Sequence, residues 1–108
     1  MTELEELLKK AAEIDAADIF ILPGTQVTCK TNGQMQILND EKLMPDSAEK
    51  LISDIYALSG RGVDRLKQTG DDDFSFALPG LSRFRVNTYK QRGSLAAVIR
   101  IIKFGIPS

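Results

Sequence analysis

The 108 residues contain no histidine and no tryptophan, and cysteine occurs once. Without histidine there is no imidazole for acid–base work near neutral pH, no haem ligand of that kind and no histidine-containing zinc site. One cysteine cannot form an internal disulfide. Cys29 alternates with Val27 in a strand-like run, so it reads as a small buried hydrophobe rather than a reactive thiol. The chain also lacks an apolar run of the length a transmembrane helix needs, and a basic-then-apolar leader with a small-residue cleavage site. A cytosolic protein is the expectation. Equally absent are a GxxxxGK[ST] phosphate loop, GxGxxG, a nucleophile elbow and any Ser/His/Asp or Cys/His set. Taken alone, this chain is expected to catalyse nothing.

What is present suits one globular domain: 43% of the residues are hydrophobic, enough for a modest core at this length. The net charge of −1 hides an asymmetry. Residues 81–108 hold Arg83, Arg85, Lys90, Arg92, Arg100 and Lys103 with no acidic residue, whereas the rest hold eight Lys and Arg against fifteen Asp and Glu. A split of this kind points to an anion-binding end.

Leu4, Leu7, Leu8, Ala11 and Ala12 recur at helical spacing, with Thr2 placed as a cap and Glu3, Glu5 and Glu6 in the first turn where the helix dipole favours them. The helix is expected to end near Asp15. Strands are expected at Asp18–Leu22, Gln26–Thr31 and Gln34–Leu38, the last two joined through Asn32-Gly33, a strong hairpin dipeptide. In these strands Val27, Cys29, Met35 and Ile37 alternate as if one common face were buried. Pro45 to Glu49 carries helix-start chemistry, with either Asp46 as a cap or Pro45 in the first turn. Ala48, Leu51, Ile52, Ile55 and Tyr56 form the apolar stripe of that helix, and a short helix over about Val63–Gln68 ends at Gly70. A strand from Asp73 to Leu78 closes at Pro79-Gly80. The consecutive aspartates Asp71, Asp72 and Asp73 lack the spacing of a calcium loop, so they read as a solvated strand start or as partners of nearby arginines, not as a metal site.

The most legible stretch runs from Ser82 to Ile102, two β-rich runs around Arg92-Gly93. A two-residue turn there makes Gln91 face Ser94 and sets Arg85 opposite Arg100. Alternation then gives one face to Phe84, Val86, Thr88, Leu95, Ala97, Ile99 and Ile101, which is core, and the other to Arg83, Arg85, Asn87, Tyr89, Ala96, Val98, Arg100 and Ile102. Like charges directly opposite destabilise a sheet, so an anion or a carboxylate should sit beside the two arginines. Arginine does not transfer protons at neutral pH, but its planar fork of donors holds phosphates and stabilises charge developing in phosphoryl transfer. The order helix, three strands, two helices, three strands implies an α+β fold with an antiparallel sheet and helices to one side.

Several stretches together resemble a known family: Ala17-Asp18-Ile19-Phe20-Ile21-Leu22-Pro23-Gly24, the Asn32-Gly33 turn, Asp73-Phe74-Ser75-Phe76, and above all Arg83-Phe84-Arg85-Val86-Asn87 followed by Gln91-Arg92-Gly93-Ser94 and Val98-Ile99-Arg100. They resemble the amino-terminal domain of the PilT-like pilus retraction ATPases, twitching-motility motors of the type II/type IV secretion ATPase superfamily. The resemblance implies a PAS-like domain over residues 1–103 and, over 104–108, the start of a linker to an absent RecA-like core that would bind ATP and Mg2+. It implies a homohexamer, cytoplasmic and held at the inner face of the membrane through the pilus base machinery. Position by position it makes Arg85 and Arg100 the arginines offered to ATP phosphates, with Arg83 and Arg92 as further phosphate or interface candidates. No nucleotide is expected to stay on the isolated domain. Phe20 stands where many members carry histidine, and Gln26-Val27 where they carry Pro-Pro, so no role attached to that histidine carries over.

Two other functions compete. A free-standing PAS-like sensor of a small anion would need an apolar-lined pocket of roughly 300 Å³ or more. A nucleic-acid platform would need aromatic side chains among the arginines, yet only Tyr89 shares their face, and no nucleic-acid partner is expected.

Overall fold

The computed structural model describes residues 3–102. In chain order the elements are α1 (Glu3–Glu13), β1 (Asp18–Ile21), β2 (Thr28–Thr31), β3 (Gln34–Ile37), α2 (Pro45–Ser59), α3 (Asp64–Thr69), β4 (Asp71–Leu78), β5 (Ser82–Gln91) and β6 (Ser94–Ile102). The expected α-β-β-β-α-α-β-β-β order is the one observed. The cap expected of Thr2 and the linker expected over 104–108 lie outside the described residues.

The six strands form one antiparallel sheet in the order β3-β2-β1-β6-β5-β4. Two meanders, β1–β3 and β4–β6, are thus joined where the first strand pairs with the last, Asp18 opposite Arg100 and Ile19 opposite Ile99. Both tight hairpins turn through two residues of positive φ, Asn32 (51°) with Gly33 (80°) and Arg92 (53°) with Gly93 (81°). That is the backbone of the type I′ turn, whose twist matches the flanking strands.

One face of the sheet is covered by helices. Leu4, Leu7, Leu8 and Ala11 of α1 and Ala48, Leu51, Ile52, Ile55 and Tyr56 of α2 share a core with Ile19, Ile21, Cys29, Phe84, Val86 and Ile99. The face split expected for β5 and β6 holds for most positions, with Phe84, Val86, Thr88, Ala97 and Ile99 buried and Arg83, Arg85, Asn87 and Arg100 exposed on the open side. Ala96, expected on the open side, is buried as well. Pro45 is the first residue of α2, behind a Met44 cap in extended conformation that makes no side-chain bond, so the helix start follows proline and not Asp46.

Two expectations need correction. Met35 and Ile37 do not join Val27 and Cys29 in the core; each is 57% exposed, whereas Val27 and Cys29 are buried. The two-residue turn pairs Thr31 with Gln34, which sets Met35 opposite Lys30 and Ile37 opposite Thr28, on the open face. A shift of one residue in register sends a side chain to the other face. Leu38, beyond the end of β3, supplies the buried group instead. Of the two readings of the aspartate triplet, the uniformly solvated strand start fails and the pairing with nearby arginines is observed, Asp72 with Arg61 and Asp73 with Arg85. Strand β4 begins two residues earlier than expected, at Asp71, and alternation turns Asp72 into the protein, where it is 2% exposed.

Candidate functional site

The register brings one transverse row of side chains together on the open face. Reading across five strands from β2, it runs Lys30, Asp18, Arg100, Arg85 and Ser75. Asp73 lies one step off the row, two residues from Ser75 on β4. Arg85 and Arg100 are thus direct cross-strand partners, and each has its own carboxylate. The Arg100 Nε donates to Asp18 Oδ1 at 3.2 Å, and an Arg85 Nη donates to Asp73 Oδ2 at 3.5 Å. These two bonds answer the repulsion between like charges placed opposite each other.

The two pairs differ in exposure. Asp73 is 55% exposed and Arg85 66%, so their bond competes with water on equal terms; Asp18 is 16% exposed and fixed beside Arg100. Each bond engages only part of a guanidinium that carries five N–H donors. A shallow depression of about 320 Å³ lies over the pair, with Asp18, Asp73, Asn87, Val98 and both arginines around it. A second, of about 310 Å³, shares Asp73 and Arg85 and adds Arg83, Phe74, Ser75 and Ile102. Arg83 is on the same face two residues from Arg85, about 7 Å along the strand. Arg92 is elsewhere: at the β5–β6 turn, seven residues from Arg85 or about 24 Å at ~3.4 Å per residue, beside Pro23, Gln91 and Ser94. The structure therefore groups Arg83, Arg85 and Arg100 and separates Arg92.

Beneath the row lies a network that sequence reasoning did not anticipate. The C-terminus of α2 closes on Gly60 in left-handed conformation, and Arg61 N–H bonds back to the Tyr56 carbonyl, which starts the Arg61 side chain toward β4. Arg61 Nε and Nη2 then donate to the two Asp72 oxygens at 2.8 Å each. The Tyr56 hydroxyl donates to Asp72 at 2.9 Å and meets the Thr88 hydroxyl at 2.8 Å. Arg61 holds the Asp72 carboxyl below the ordinary carboxylate range, and burial pushes the Tyr56 phenol up to about 12. An Asp72 oxygen also accepts the Asp73 backbone N–H at 2.9 Å, and Asn87 donates to the Asp72 carbonyl at 3.2 Å. The network therefore fixes the strand from which Asp73 reaches Arg85.

The sequence turns Asp73 to the open face, because Phe74, Phe76 and Leu78 alternate as an apolar face. Counting back from Pro79-Gly80 as a two-residue turn, however, would set Phe74 against Arg85. The loop runs through Leu81, so Leu78 pairs with Ser82 and Ser75 with Arg85. No comparable signal marks Asp18, whose place beside Arg100 depends on two distant strands. Another depression, of about 360 Å³, lies between the end of α1 and Leu81, Ser82 and Ile101, and none of the arginines lines it. Glu13 and Asp15 line it, which disfavours an anion there.

No family model matches the chain. Among curated proteins, the Pseudomonas aeruginosa type IV pilus retraction ATPase PilT is 30% identical over 100 residues, 93% of this chain and 28% of that protein. The type IV pilus ATPase PilU of the same organism is 26% identical over 106 residues, 98% of this chain and 27% of that protein. Among solved structures, the pilus retraction motor PilT with bound ADP superposes with a TM-score of 0.81 at 35% identity, over 99% of this chain and 31% of that one. The chain is the amino-terminal domain of a PilT-like ATPase. It spans between 27% and 31% of the length of these relatives. The Legionella pneumophila ATPase DotB, at 22% identity and a TM-score of 0.74 over 96% of the chain, shares the fold of this PilT-like domain. Among the described residues no helix is long and apolar enough to cross a membrane.

Proposed function

We propose that this domain is the nucleotide-clamping and subunit-contacting arm of a hexameric pilus retraction ATPase. In this reading residues 1–103 form the arm, and 104–108 lead toward a RecA-like core that carries the phosphate loop, ATP and Mg2+. Arg85 and Arg100 close on the phosphates of that ATP, and Arg83 extends the cationic surface. Arg92, about 24 Å from Arg85 by strand geometry, is left to subunit contacts. The full-length protein, arm and core together, hydrolyses ATP, assembles as a homohexamer in the cytoplasm and works on the pilus base at the inner membrane, without a nucleic-acid partner.

The observation that carries this reading is the cross-strand register of Arg85 and Arg100 on a sheet face that no described helix covers. Their pairing with Asp73 and Asp18 keeps them extended over that face, and their unused N–H donors suit phosphate oxygens. The chain itself has no group for the remaining chemistry, so catalysis by the arginines is electrostatic and depends on closure of the arm over a nucleotide held elsewhere.

The test uses the full-length hexamer. Arg85→Ala and Arg100→Ala are each expected to lower ATP turnover by about 10³ to 10⁵, the range of arginine fingers, with assembly unchanged by size-exclusion chromatography. Near-normal turnover in both variants overturns the assignment.

A further inference from the structure

The unused feature of the site is that it is already occupied from within. Asp73 lies against Arg85 and lines both shallow depressions, so the Arg85–Asp73 pair forms the wall between them. An anion that engages Arg85 from either side meets that carboxylate. The pair is long, at 3.5 Å, and both side chains are more than half exposed. Exposed pairs of this kind hold weakly and exchange readily. Asp18 behaves differently, since its side chain is 16% exposed and stands in register between Lys30 and Arg100.

The backbone under Asp73 is held firmly even though its side chain is not. Its N–H is bonded to the buried Asp72 carboxylate at 2.9 Å, and Asn87 holds the adjacent Asp72 carbonyl at 3.2 Å. The carboxylate can therefore swing off Arg85 without any change in the strand.

We propose that Asp73 is a displaceable counter-ion that occupies Arg85 when no ligand is present and yields it to a phosphate chain. The inference rests on the reading of Arg85 as a phosphate-binding residue and adds the regulation of that site. Asp73 keeps the domain from collecting free phosphates and sets the threshold at which Arg85 transfers to a polyanion presented to it. When a phosphate oxygen takes the Arg85 donors, the carboxylate moves to solvent beside the strand, and no covalent bond changes.

The experiment titrates the 108-residue chain with tripolyphosphate by isothermal calorimetry at about 0.1 M ionic strength, where the Debye length is about 10 Å. Asp73→Asn is expected to tighten binding by about two- to fivefold, the free-energy range of one exposed ion pair. Asp71→Asn removes the same charge from the same face of the same strand, four residues from the Arg85 partner Ser75, or about 14 Å, and is expected to leave binding within experimental error. Thermal melts show that each variant is folded.

Equal tightening in both variants overturns the proposal, because net charge alone then explains it. Unchanged binding in Asp73→Asn, with binding lost in Arg85→Ala, also overturns it and leaves the phosphate role of Arg85 standing. If Arg85→Ala binds as the parent does, or if neither the parent nor Asp73→Asn binds tripolyphosphate, the underlying reading fails together with the proposal.

Discussion

Replacing Asp72 with alanine tests the network on which the arginine strand rests. The Asp72 side chain is fully buried and accepts two Arg61 donors at 2.8 Å, the Tyr56 hydroxyl at 2.9 Å and the Asp73 backbone N–H at 2.9 Å. Removing one partner of a buried ion pair costs about 3–5 kcal/mol. Two features pull this case to the lower end. Arg61 is 40% exposed, so its charge returns to water, and the Tyr56 hydroxyl keeps Thr88 at 2.8 Å. The expected loss is therefore about 3 kcal/mol, a large share of the roughly 5–15 kcal/mol of an ordinary domain. At about 4–8 °C per kcal/mol, the thermal midpoint should fall by roughly 12–24 °C. Thermal and urea unfolding followed by circular dichroism measure this, with an unchanged urea slope confirming that the native fold is the one being compared. Asp72→Asn, which keeps an acceptor and loses the charge, should fall between the parent and the alanine variant. A loss below about 1 kcal/mol in Asp72→Ala would refute the reasoning, since the buried carboxylate would then be no better held than an exposed one.

Because Arg61 lowers the pKa of Asp72 in the folded state, the unfolded chain takes up that proton first as pH falls. Stability from this group is present above the ordinary carboxylate range and is lost on acidification below about pH 4; Asp72→Asn should flatten that part of the acid unfolding profile. The Tyr56 phenol is raised to about 12 by burial, so it favours the folded state below its ordinary value of about 10 and loses that contribution as pH rises toward 12. In Tyr89→Phe protein, tyrosinate absorbance should therefore appear near pH 12, and titration at the ordinary value would contradict a buried phenol. Ile37→Lys should change stability by less than about 0.5 kcal/mol, whereas Leu38→Ala should cost about 2–5 kcal/mol; urea midpoints for the two decide which one faces the core. Arg92 holds φ at 53°, where asparagine is favoured over other non-glycine residues, so Arg92→Asn should be neutral or slightly stabilising in the same assay, and a clear loss would show that the Arg92 side chain supports the fold.

The chain's local regularities determined much of this domain. Two-residue turns fix register without help from the rest of the protein, so Arg92-Gly93 alone set Arg85 against Arg100 and assigned Phe84, Val86 and Ile99 to the core. The helix stripe from Ala48 to Tyr56 follows in the same way from a period of about 3.6 residues. The Asn32-Gly33 turn carried equal information for β3, and applying the two-residue register there puts Met35 and Ile37 outside. Apolar character suggested burial, but β3 of the first meander lies at the sheet edge and the open face needs no apolar cover.

Only the tertiary structure decided what surrounds the arginines. Asp18 and Arg100 are 82 residues apart, and they meet because β1 inserts beside β6, a pairing set by closure of one core under both meanders. Asp72 and Arg61 are closer in sequence, and Asp72 shares the parity of Phe74 and Phe76, but that parity turns it inward only because β4 extends back to Asp71, two residues beyond the expected strand start. The helix that brings Tyr56 and Arg61 to that strand is placed by packing. The sequence by itself therefore determines that two arginines face each other, because a turn is a local object. Which carboxylates hold them, and how firmly, depends on long-range pairing and burial that exist only once the sheet is complete.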